Sequence, residues 1–384
     1  MDKRQVPSRL PSVDGWRAVS ILMVLGGHTG LVISHGEKPV LDWLFNGNLG
    51  VRFFFSISGF LITWLLLLEV NKSGKISLKD FYARRFLRIL PVYFTFMLAL
   101  LGLQLFASFK ETTAGWLGML SFTRNYAEGS SASGHLWSLA VEEQFYLVWP
   151  SLFIFLARHS RRVKYFILAI PIFTAPAFRT GNYVFFHSHE HFLRGLDHIR
   201  LPTAFLDVFF YKNSFFCYYD TLAFGCLSAF LLANEKPFVE FFLKKWRGGV
   251  FVTGLLLVAL PHVMGNLNRP LPPVAGNFLQ VFGSTFQSMG FCLLLLQSLV
   301  APDWAGYRVL NWKWIAWIGM LSYSLYIWQQ LFCFQAWTGG ELNQEIPADV
   351  WAWSWLIPTF AAAAASYYGL ERPFLRLRSR FRHA

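Results

Sequence analysis

Charged residues are scarce in this chain. Asp, Glu, Lys and Arg together make up 14% of its 384 residues, whereas a soluble domain carries about 25%. Hydrophobic residues account for 55% of the chain and aromatic residues for 18%, which excludes an intrinsically disordered protein. The shortage of charge therefore excludes most soluble classes and favours a protein that is solvated by a lipid bilayer.

Cysteine is also scarce, and several well-known site motifs are missing. The four cysteines have no common spacing, so they predict neither a disulfide scaffold nor a spaced zinc site. The sequence contains no Walker, dinucleotide-binding or G-x-S-x-G pattern. The usual sequence signals of P-loop, Rossmann and α/β-hydrolase sites are therefore lacking.

Long hydrophobic runs are abundant, and they predict ten transmembrane helices. A helix needs about 20 residues to cross the hydrocarbon layer of a bilayer. Runs of this kind lie near residues 17–35, 47–70, 86–108, 136–157, 163–179, 213–234, 249–265, 278–300, 312–337 and 350–371. The longest external stretch, near residues 180–212, is too short for a domain of its own. The sequence therefore predicts an all-α polytopic membrane protein with one domain over residues 1–384.

The positive charge is distributed unevenly between the predicted loops. Lys and Arg number 34 against 21 acidic residues, which gives a formal net charge of +13. Such a surplus is typical of proteins that meet nucleic acid or anionic lipid. If the N-terminus is cytoplasmic, most of the cations fall on the inner side, as the positive-inside rule requires. The charge therefore indicates an even number of spans with both termini in the cytoplasm.

Two ionisable residues share one face of the first predicted span. Arg17 and His28 lie within DGWRAVSILMVLGGH, and eleven residues of α-helix complete almost three turns with a rise of about 16 Å. An imidazole titrates near neutral pH and suits a general base, and ionisable groups within a membrane are functional candidates. The alternative is a histidine that only hydrogen-bonds to a neighbouring helix.

A basic inner loop runs into the third predicted span. Within KSGKISLKDFYARRFLRILP, Arg85 and Arg88 lie three residues apart on one helical face near the start of the helix. Guanidinium groups and a helix N-terminus both favour a phosphorylated ligand. The alternative is that these cations only set the membrane topology.

Acidic residues interrupt two other apolar spans. Glu142 and Glu143 fall within HLWSLAVEEQFYLVWP at residues 135–150, and a carboxylate near the bilayer core is costly unless it is paired or faces a wet cavity. Either carboxylate can orient and charge-stabilise His28, as in a nucleophile–base–acid relay. The alternative is an interfacial pair that reaches outward. Asp220, at the start of the sixth predicted span, has the same two interpretations.

Three histidines alternate in the predicted external loop. His187, His189 and His191 lie within HSHEH, a spacing that would allow them to chelate a metal on a strand. The alternative, which is more common for a His-rich outer loop, is simple solvation.

Seven stretches together resemble the membrane acyltransferase-3 family. They are DGWRAVSILMVLGGH, GVRFFFSISGFLIT at 50–63, FYARRFLRILPVY at 81–93, HLWSLAVEEQFYLVWP, DTLAFGCLSA at 220–229, SYSLYIWQQ at 322–330 and LERPF at 370–374. Because they follow the order of the family from one end of the chain to the other, a chance similarity is excluded. Arg52 departs from the family, which commonly has an acidic or neutral residue there, and Gln329 stands where a histidine is common.

The resemblance implies an enzyme of the bacterial inner membrane with ten transmembrane helices. Such enzymes take an acyl group, usually acetyl, from acyl-CoA on the cytoplasmic side and transfer it to a hydroxyl group, and they need no metal. By the same resemblance, His28 is the catalytic histidine, as a base or a transient acyl carrier. Glu142 matches the family's acid, and Arg17, Arg85 and Arg88 bind the donor phosphates.

The acceptor stays open at this point. A surface polysaccharide or a lipid-linked sugar is the leading expectation, and a macrolide-like small molecule or another lipid is the alternative. A secondary transporter that exports glycan intermediates is an alternative of another class, although the sequence lacks the inverted repeats that usually indicate one. A purely structural membrane scaffold would leave the buried charges without a purpose.

Overall fold

The computed structural model describes most of the chain. It covers residues 10, 12–33, 45–106, 109–192, 213–265, 273–333 and 354–377. These residues are mostly helical, and no strand occurs among them. The all-α prediction is therefore confirmed.

Fifteen α-helices follow one another in the described part of the chain. They are α1 (Val13–Ile33), α2 (Gly47–Ser73), α3 (Leu78–Phe106), α4 (Thr113–Leu120), α5 (Ser131–Gly134), α6 (Leu136–Ala157), α7 (Arg161–Phe192), α8 (Phe215–Asn234), α9 (Lys236–Lys245), α10 (Arg247–Gly265), α11 (Pro273–Val300), α12 (Ala305–Arg308), α13 (Lys313–Phe332), α14 (Leu356–Ser366) and α15 (Arg372–Leu377). A 3₁₀ turn, Val309–Asn311, precedes α13, and a π-helical segment, Tyr367–Glu371, joins α14 to α15.

Six helical stretches in the described residues are long and apolar enough to cross a membrane. They are Gly47–Ser73, Leu78–Phe106, Ser131–Ala157, Phe215–Asn234, Arg247–Gly265 and Ala275–Val300. The other predicted spans, 17–35, 163–179, 312–337 and 350–371, overlap helices outside this set. The chain is thus a multi-pass helical membrane protein, and the larger count of ten stays a prediction.

The chain divides into two compact units. The first comprises Met1–Val51, Leu66–Leu136 and Arg308–Ala384, and the second comprises Arg52–Leu65 and Trp137–Tyr307. Helix α2 contributes to both units. Two compact units can still form one functional domain, so the single domain over residues 1–384 stays a prediction.

In the first unit, glycines allow α1 to lie very close to α13 and to the turn before it. A Cβ atom on Gly319 would lie 1.7 Å from the carbonyl oxygen of Asp14, and one on Gly15 would lie 2.2 Å from that of Leu310. Helix α1 begins after Ser12, whose φ is 62° and whose backbone N–H donates to Asn311 Oδ1 at 2.8 Å. These contacts fix the start of the helix that carries Arg17 and His28.

A hydrogen-bonded loop in the first unit leads into α5 and His135. The Glu111 carboxylate accepts from the backbone N–H of Ser130 at 2.7 Å and from its hydroxyl at 2.6 Å. The buried Arg124 donates to Ser133 Oγ at 3.1 Å and to the Ser130 carbonyl at 3.1 Å. The two charged side chains therefore hold the same short segment from two sides.

In the second unit, pairs of glycines again bring helices together. A Cβ on Gly59 of α2 would lie 2.1 Å from the Leu222 carbonyl oxygen of α8, and one on Gly225 would lie 2.1 Å from the Ser56 carbonyl oxygen. Small residues allow this close approach in membrane helices, where no hydrophobic force drives one helix onto another. Helices α2 and α8 are thus packed backbone to backbone at the level of these glycines.

The prediction of an external loop from residue 180 onward is wrong for its first part. Helix α7 continues to Phe192, so the backbone of His187, His189 and His191 is helical. The hypothesis of a metal chelate on a strand is therefore wrong, because residues two apart on a helix point about 200° apart. The side chains of these histidines and residues 193–212 lie outside the described residues.

Candidate active site

The imidazole of His28 is oriented by its own helix. Its Nδ1 lies 3.0 Å from the carbonyl oxygen of Val24, four residues earlier in α1. A carbonyl oxygen can only accept a hydrogen bond, so Nδ1 carries the proton in this arrangement. In the neutral ring, Nε2 then holds the free electron pair. The half-buried His28 therefore presents Nε2 as its basic atom, which is what a general base or an acyl carrier requires.

The segment SYSLYIWQQ of α13 contacts both α3 and His28. Its Tyr323 hydroxyl donates to the Ile89 carbonyl of α3 at 2.7 Å, and the fully buried amide of Gln329 lies beside the His28 imidazole. Neither polar atom of the Gln329 amide makes a well-aligned hydrogen bond to a described residue. A polar group of this kind next to a base is suited to contact a substrate.

His135 is a second histidine of this site, and sequence reasoning did not single it out. Its Nε2 lies 3.1 Å from the Ile327 carbonyl oxygen. The backbone carbonyl of His135 accepts from the Tyr326 hydroxyl at 2.8 Å. The buried ring packs edge-on against Phe96 with the ring centroids 5.4 Å apart, and it lies within electrostatic reach of His28. Its position at the head of HLWSLAVEEQFYLVWP was the available signal.

The structure brings two of the predicted donor-binding arginines to one carboxylate. Glu371 is buried and accepts from Ser324 Oγ at 3.0 Å, and both Arg17 and Arg88 act on it electrostatically. Arg17 also lies 3.6 Å from Asp14, one turn earlier in α1. Glu371 belongs to the quoted LERPF stretch, but only the folded chain places it with these two cations.

The third predicted arginine has an aromatic neighbour. The Arg85 guanidinium lies 5.8 Å from the centre of the Phe81 ring, one turn earlier in α3. The adjacent Arg84 forms an ion pair with Glu69 at 2.6 Å. The phosphate-binding role of Arg17, Arg85 and Arg88 stays a prediction.

Glu142 lies in the second unit and has two hydroxyl partners there. Ser58 Oγ donates to its Oε1 at 2.9 Å, and the Tyr146 hydroxyl donates to its Oε2 at 3.0 Å. Such hydrogen bonds stabilise a carboxylate in an apolar span. The role of Glu142 in orienting His28 stays a prediction.

Asp220 is a member of a buried ion pair. It accepts from Arg179 Nη2 at 2.5 Å and from Thr285 Oγ1 at 2.7 Å. Asp220 is therefore buried and paired, so the outward-reaching interpretation is wrong. A role of Asp220 in orienting His28 stays a prediction. Among the described residues, no group of three or more His, Cys, Asp or Glu side chains could hold a metal ion.

The fold defines a multi-pass helical membrane protein, and the imidazole of His28 is its candidate base. A family model agrees with this. Residues 10–369 match the acyltransferase-3 model, which is described as an acyltransferase domain, and the chain therefore belongs to that family. The resemblance based on the seven stretches is therefore confirmed.

Curated relatives have related names. The peptidoglycan O-acetyltransferase OatA of Listeria monocytogenes is 25% identical over an alignment of 387 positions, which covers 95% of this chain and 55% of the relative. The O-acetyltransferase OatA of Staphylococcus aureus strain NCTC 8325 is 29% identical over 345 residues, which cover 85% of this chain and 51% of the relative. The chain thus spans about half the length of these relatives. No solved structure matches it.

Proposed function

We propose that this protein is an O-acetyltransferase of the bacterial inner membrane with cytoplasmic termini. It moves an acetyl group from acetyl-CoA, or another acyl group from its acyl-CoA, to a hydroxyl group of a surface polysaccharide or lipid-linked sugar. Membership of the acyltransferase family and the names of the relatives support the reaction class. The single observation that carries the mechanism is the His28–Val24 hydrogen bond, because it leaves Nε2 as the base.

His28 Nε2 removes the proton of the acceptor hydroxyl as the oxygen attacks the thioester carbonyl. The new C–O bond forms, the C–S bond breaks, and the coenzyme A thiolate takes the proton from the imidazolium. Nδ1 keeps its proton and donates it in a hydrogen bond to the Val24 carbonyl oxygen. This bond becomes charge-assisted when the ring is protonated and so stabilises the imidazolium. A route through an acyl-histidine would use the same Nε2.

Gln329 of α13 and His135, which lies between α5 and α6, support this step. The Ile327 carbonyl holds His135, and Gln329 lies beside the imidazole of His28. An amide N–H near the reacting carbonyl is suited to stabilise the oxyanion of a tetrahedral intermediate. Gln329 thereby does the work of a hydrogen-bond donor at a position where the family commonly has histidine.

The donor phosphates are bound at the other end of α1. Arg17 precedes His28 by eleven residues, a rise of about 16 Å, which suits the length of an extended pantetheine arm. Arg85 and Arg88 lie seven and ten residues after the start of α3 at Leu78, not at the helix start that the sequence predicted. The attraction for phosphate therefore comes from their guanidinium groups and not from the helix dipole. By the family resemblance, Glu142 is the acid of the proposed reaction.

Acetyl transfer in proteoliposomes tests the proposal. The purified full chain is supplied with radiolabelled acetyl-CoA and a membrane extract as the source of acceptor, and label in glycan is counted. His28→Gln should lower transfer at least about 100-fold, which is typical of losing a general base. His159→Gln is the matched control, because exposed His159 also points its Nδ1 at the carbonyl four residues earlier.

Wild-type transfer by a well-folded His28→Gln variant would contradict the mechanism. A chain that moves glycan across the bilayer without releasing coenzyme A from acetyl-CoA would instead be a transporter. Replacing acetyl-CoA with longer acyl-CoA thioesters in the same assay determines the acyl group.

A further inference from the structure

The second unit contains a buried charged cluster that the proposed chemistry does not use. Its members come from four helices and are Arg52, Arg179, Tyr218, Asp220, Thr285 and Gln287. We call this group the Arg52 cluster. Ionisable residues within membrane-spanning segments are costly, and they usually mark a binding site or a transport path.

Asp220 is already fully engaged in this cluster. Its Oδ1 accepts from Arg179 Nη2 at 2.5 Å and from the backbone N–H of Thr221 at 2.8 Å. Its Oδ2 accepts from Thr285 Oγ1 at 2.7 Å. The negative charge of Asp220 is therefore paired with Arg179, and both carboxylate oxygens already accept hydrogen bonds.

Arg52 has a neutral partner in place of a carboxylate. Its Nη1 donates to Gln287 Oε1 at 2.5 Å. Its buried Nε makes no hydrogen bond to any residue that the structure describes. Arg179, Tyr218 and Asp220 are the ionisable groups that act on it. Two guanidinium groups thus share one carboxylate, and in the described part of the chain the cluster carries an excess positive charge.

The members of the cluster on α2 and α8 lie near the starts of those helices. Arg52 follows the start of α2 at Gly47 by five residues, and Asp220 follows the start of α8 at Phe215 by five. In the proposed topology these helix starts are the outer ends, because the exposed cation of α2, Lys72, lies at its other end. The excess charge is therefore on the side where a surface glycan would be acylated.

We propose that the Arg52 cluster binds the anionic group, a phosphate or a carboxylate, of a glycan acceptor. An anion here restores neutrality in a medium where an uncompensated charge is costly. The guanidinium of Arg52 matches either anion, because its planar fork of donors can bind two oxygens at once. Only the designation of the anion as an acceptor rests on the proposed function.

Thermal unfolding with model ligands tests the site. The full chain is placed in nanodiscs of phosphatidylcholine without acyl-CoA, and unfolding is followed by tryptophan fluorescence. Glucose 1-phosphate represents a sugar phosphate, glucuronate a sugar carboxylate, and glucose the neutral control. A ligand that binds only the folded state raises Tm. One of the two anions should raise it by about 2 °C or more, and glucose should leave it unchanged.

Each outcome has one meaning. A response to glucose 1-phosphate assigns a phosphorylated acceptor, and a response to glucuronate assigns an acidic sugar. No response to either anion, or an equal response to glucose, overturns the proposal. Stabilisation by phosphatidylglycerol nanodiscs alone would identify a structural lipid and would overturn it too.

Two variants locate the response at Arg52. Arg52→Gln should abolish it, whereas Arg162→Gln, which removes an exposed cation of the same unit, should keep it. Gln287→Glu places a carboxylate beside Arg52, so it should raise Tm and abolish the response at the same time. A Gln287→Glu protein with a lower Tm and an intact response would contradict the excess of charge, even if Arg52→Gln failed to fold. Because no acyl-CoA is present, failure here is distinguishable from failure of the His28 mechanism.

Discussion

Buried carboxylates have different surroundings in the two units. In the first unit, Glu371 lies under the influence of Arg17 and Arg88 and accepts from Ser324, and Asp14 is a second carboxylate beside Arg17. In the second unit, Asp220 is the one carboxylate that acts on Arg52 among the described residues. The first group is balanced between cations and carboxylates, and the second has more cations than carboxylates.

This difference in charge balance predicts how each group would respond to an anion. A balanced group is stable without a ligand, so a phosphate of the donor must compete with Glu371 for the arginines. An unbalanced group gains neutrality when an anion binds. A transient donor that leaves after every cycle suits the first arrangement, and an acceptor that is recognised by its charge suits the second.

The largest expected effect concerns the close packing that holds α1 in the first unit. Gly319→Ala would place a Cβ 1.7 Å from the Asp14 carbonyl oxygen, so α1 and α13 must separate. Overpacking of this kind costs about 1–3 kcal/mol, and His28 would lose its place beside Gln329. Both the Tm of the protein and its rate of acetyl transfer should fall.

Gly102→Ala is the matched control for this change. No atom lies within 4 Å of a Cβ at Gly102, and alanine is favoured over glycine inside a helix by about 1 kcal/mol. The control should be neutral or stabilising. Equal stability of the two variants would show that the contact between α1 and α13 is looser than the structure indicates.

A second prediction asks whether the chemistry is confined to the first unit. Glu142→Gln keeps the shape of the side chain beside Ser58 and Tyr146 but removes its charge. If Glu142 stabilises the imidazolium of His28, kcat for acetyl transfer should fall about 10- to 100-fold, with little change in KM for acetyl-CoA. Glu143→Gln should be close to wild type. The reverse order of the two variants would assign the acid to Glu143.

A third prediction tests the balance around Glu371. Arg88→Gln should raise KM for acetyl-CoA about 10-fold, the value of one lost charge-assisted hydrogen bond. Glu371→Gln removes the competitor of the phosphates and should lower KM. The exposed Lys79, on the same helix, is the control site, and Lys79→Gln should leave KM unchanged. A higher KM in the Glu371→Gln variant would mean that this carboxylate positions the arginines for the donor.

The smallest expected effect concerns the loop that leads to His135. Burial by itself would raise the pKa of Glu111, but hydrogen bonds from Ser130, Ser133 and Thr112 outweigh it and lower the pKa below its usual range. The stabilisation is complete above the unfolded-state pKa of about 4.3. It is lost as the pH falls through the lower folded-state value.

The measurement for this loop is Tm as a function of pH. Glu111→Gln should lose about 1 kcal/mol at pH 7 and should show a flatter decline of Tm below pH 5. Glu128→Gln, at an exposed position of the same loop, should follow the wild type. An unchanged acid decline in Glu111→Gln would assign the pH dependence to another group.

Local features of the site were predictable from the sequence, and contacts between distant segments were not. Spacing alone placed Arg17 and His28 on one helix, because helical periodicity depends only on neighbours in the chain. Besides their neighbours in α1, His28 and Arg17 have partners more than 300 residues away along the chain, in Gln329 and Glu371. Periodicity carries no information on such contacts, which arise from tertiary packing.

The errors of sequence reasoning have physical causes as well. Polar residues near HSHEH indicated a loop, but α7 continues through them to Phe192. Arg52 was visible as an unusual residue, yet its partner Gln287 lies 235 positions away. The excess of charge at Arg52 therefore became apparent only in the folded chain.

The hydrogen bond from His28 to Val24 attaches the imidazole to its own helix. Because donor and acceptor both belong to α1, the direction of the imidazole is a property of that helix and not of its neighbours. If α1 tilts or slides during a catalytic cycle, the ring moves with it as a rigid attachment. The base can then face the thioester and the incoming hydroxyl in turn without losing the proton on Nδ1.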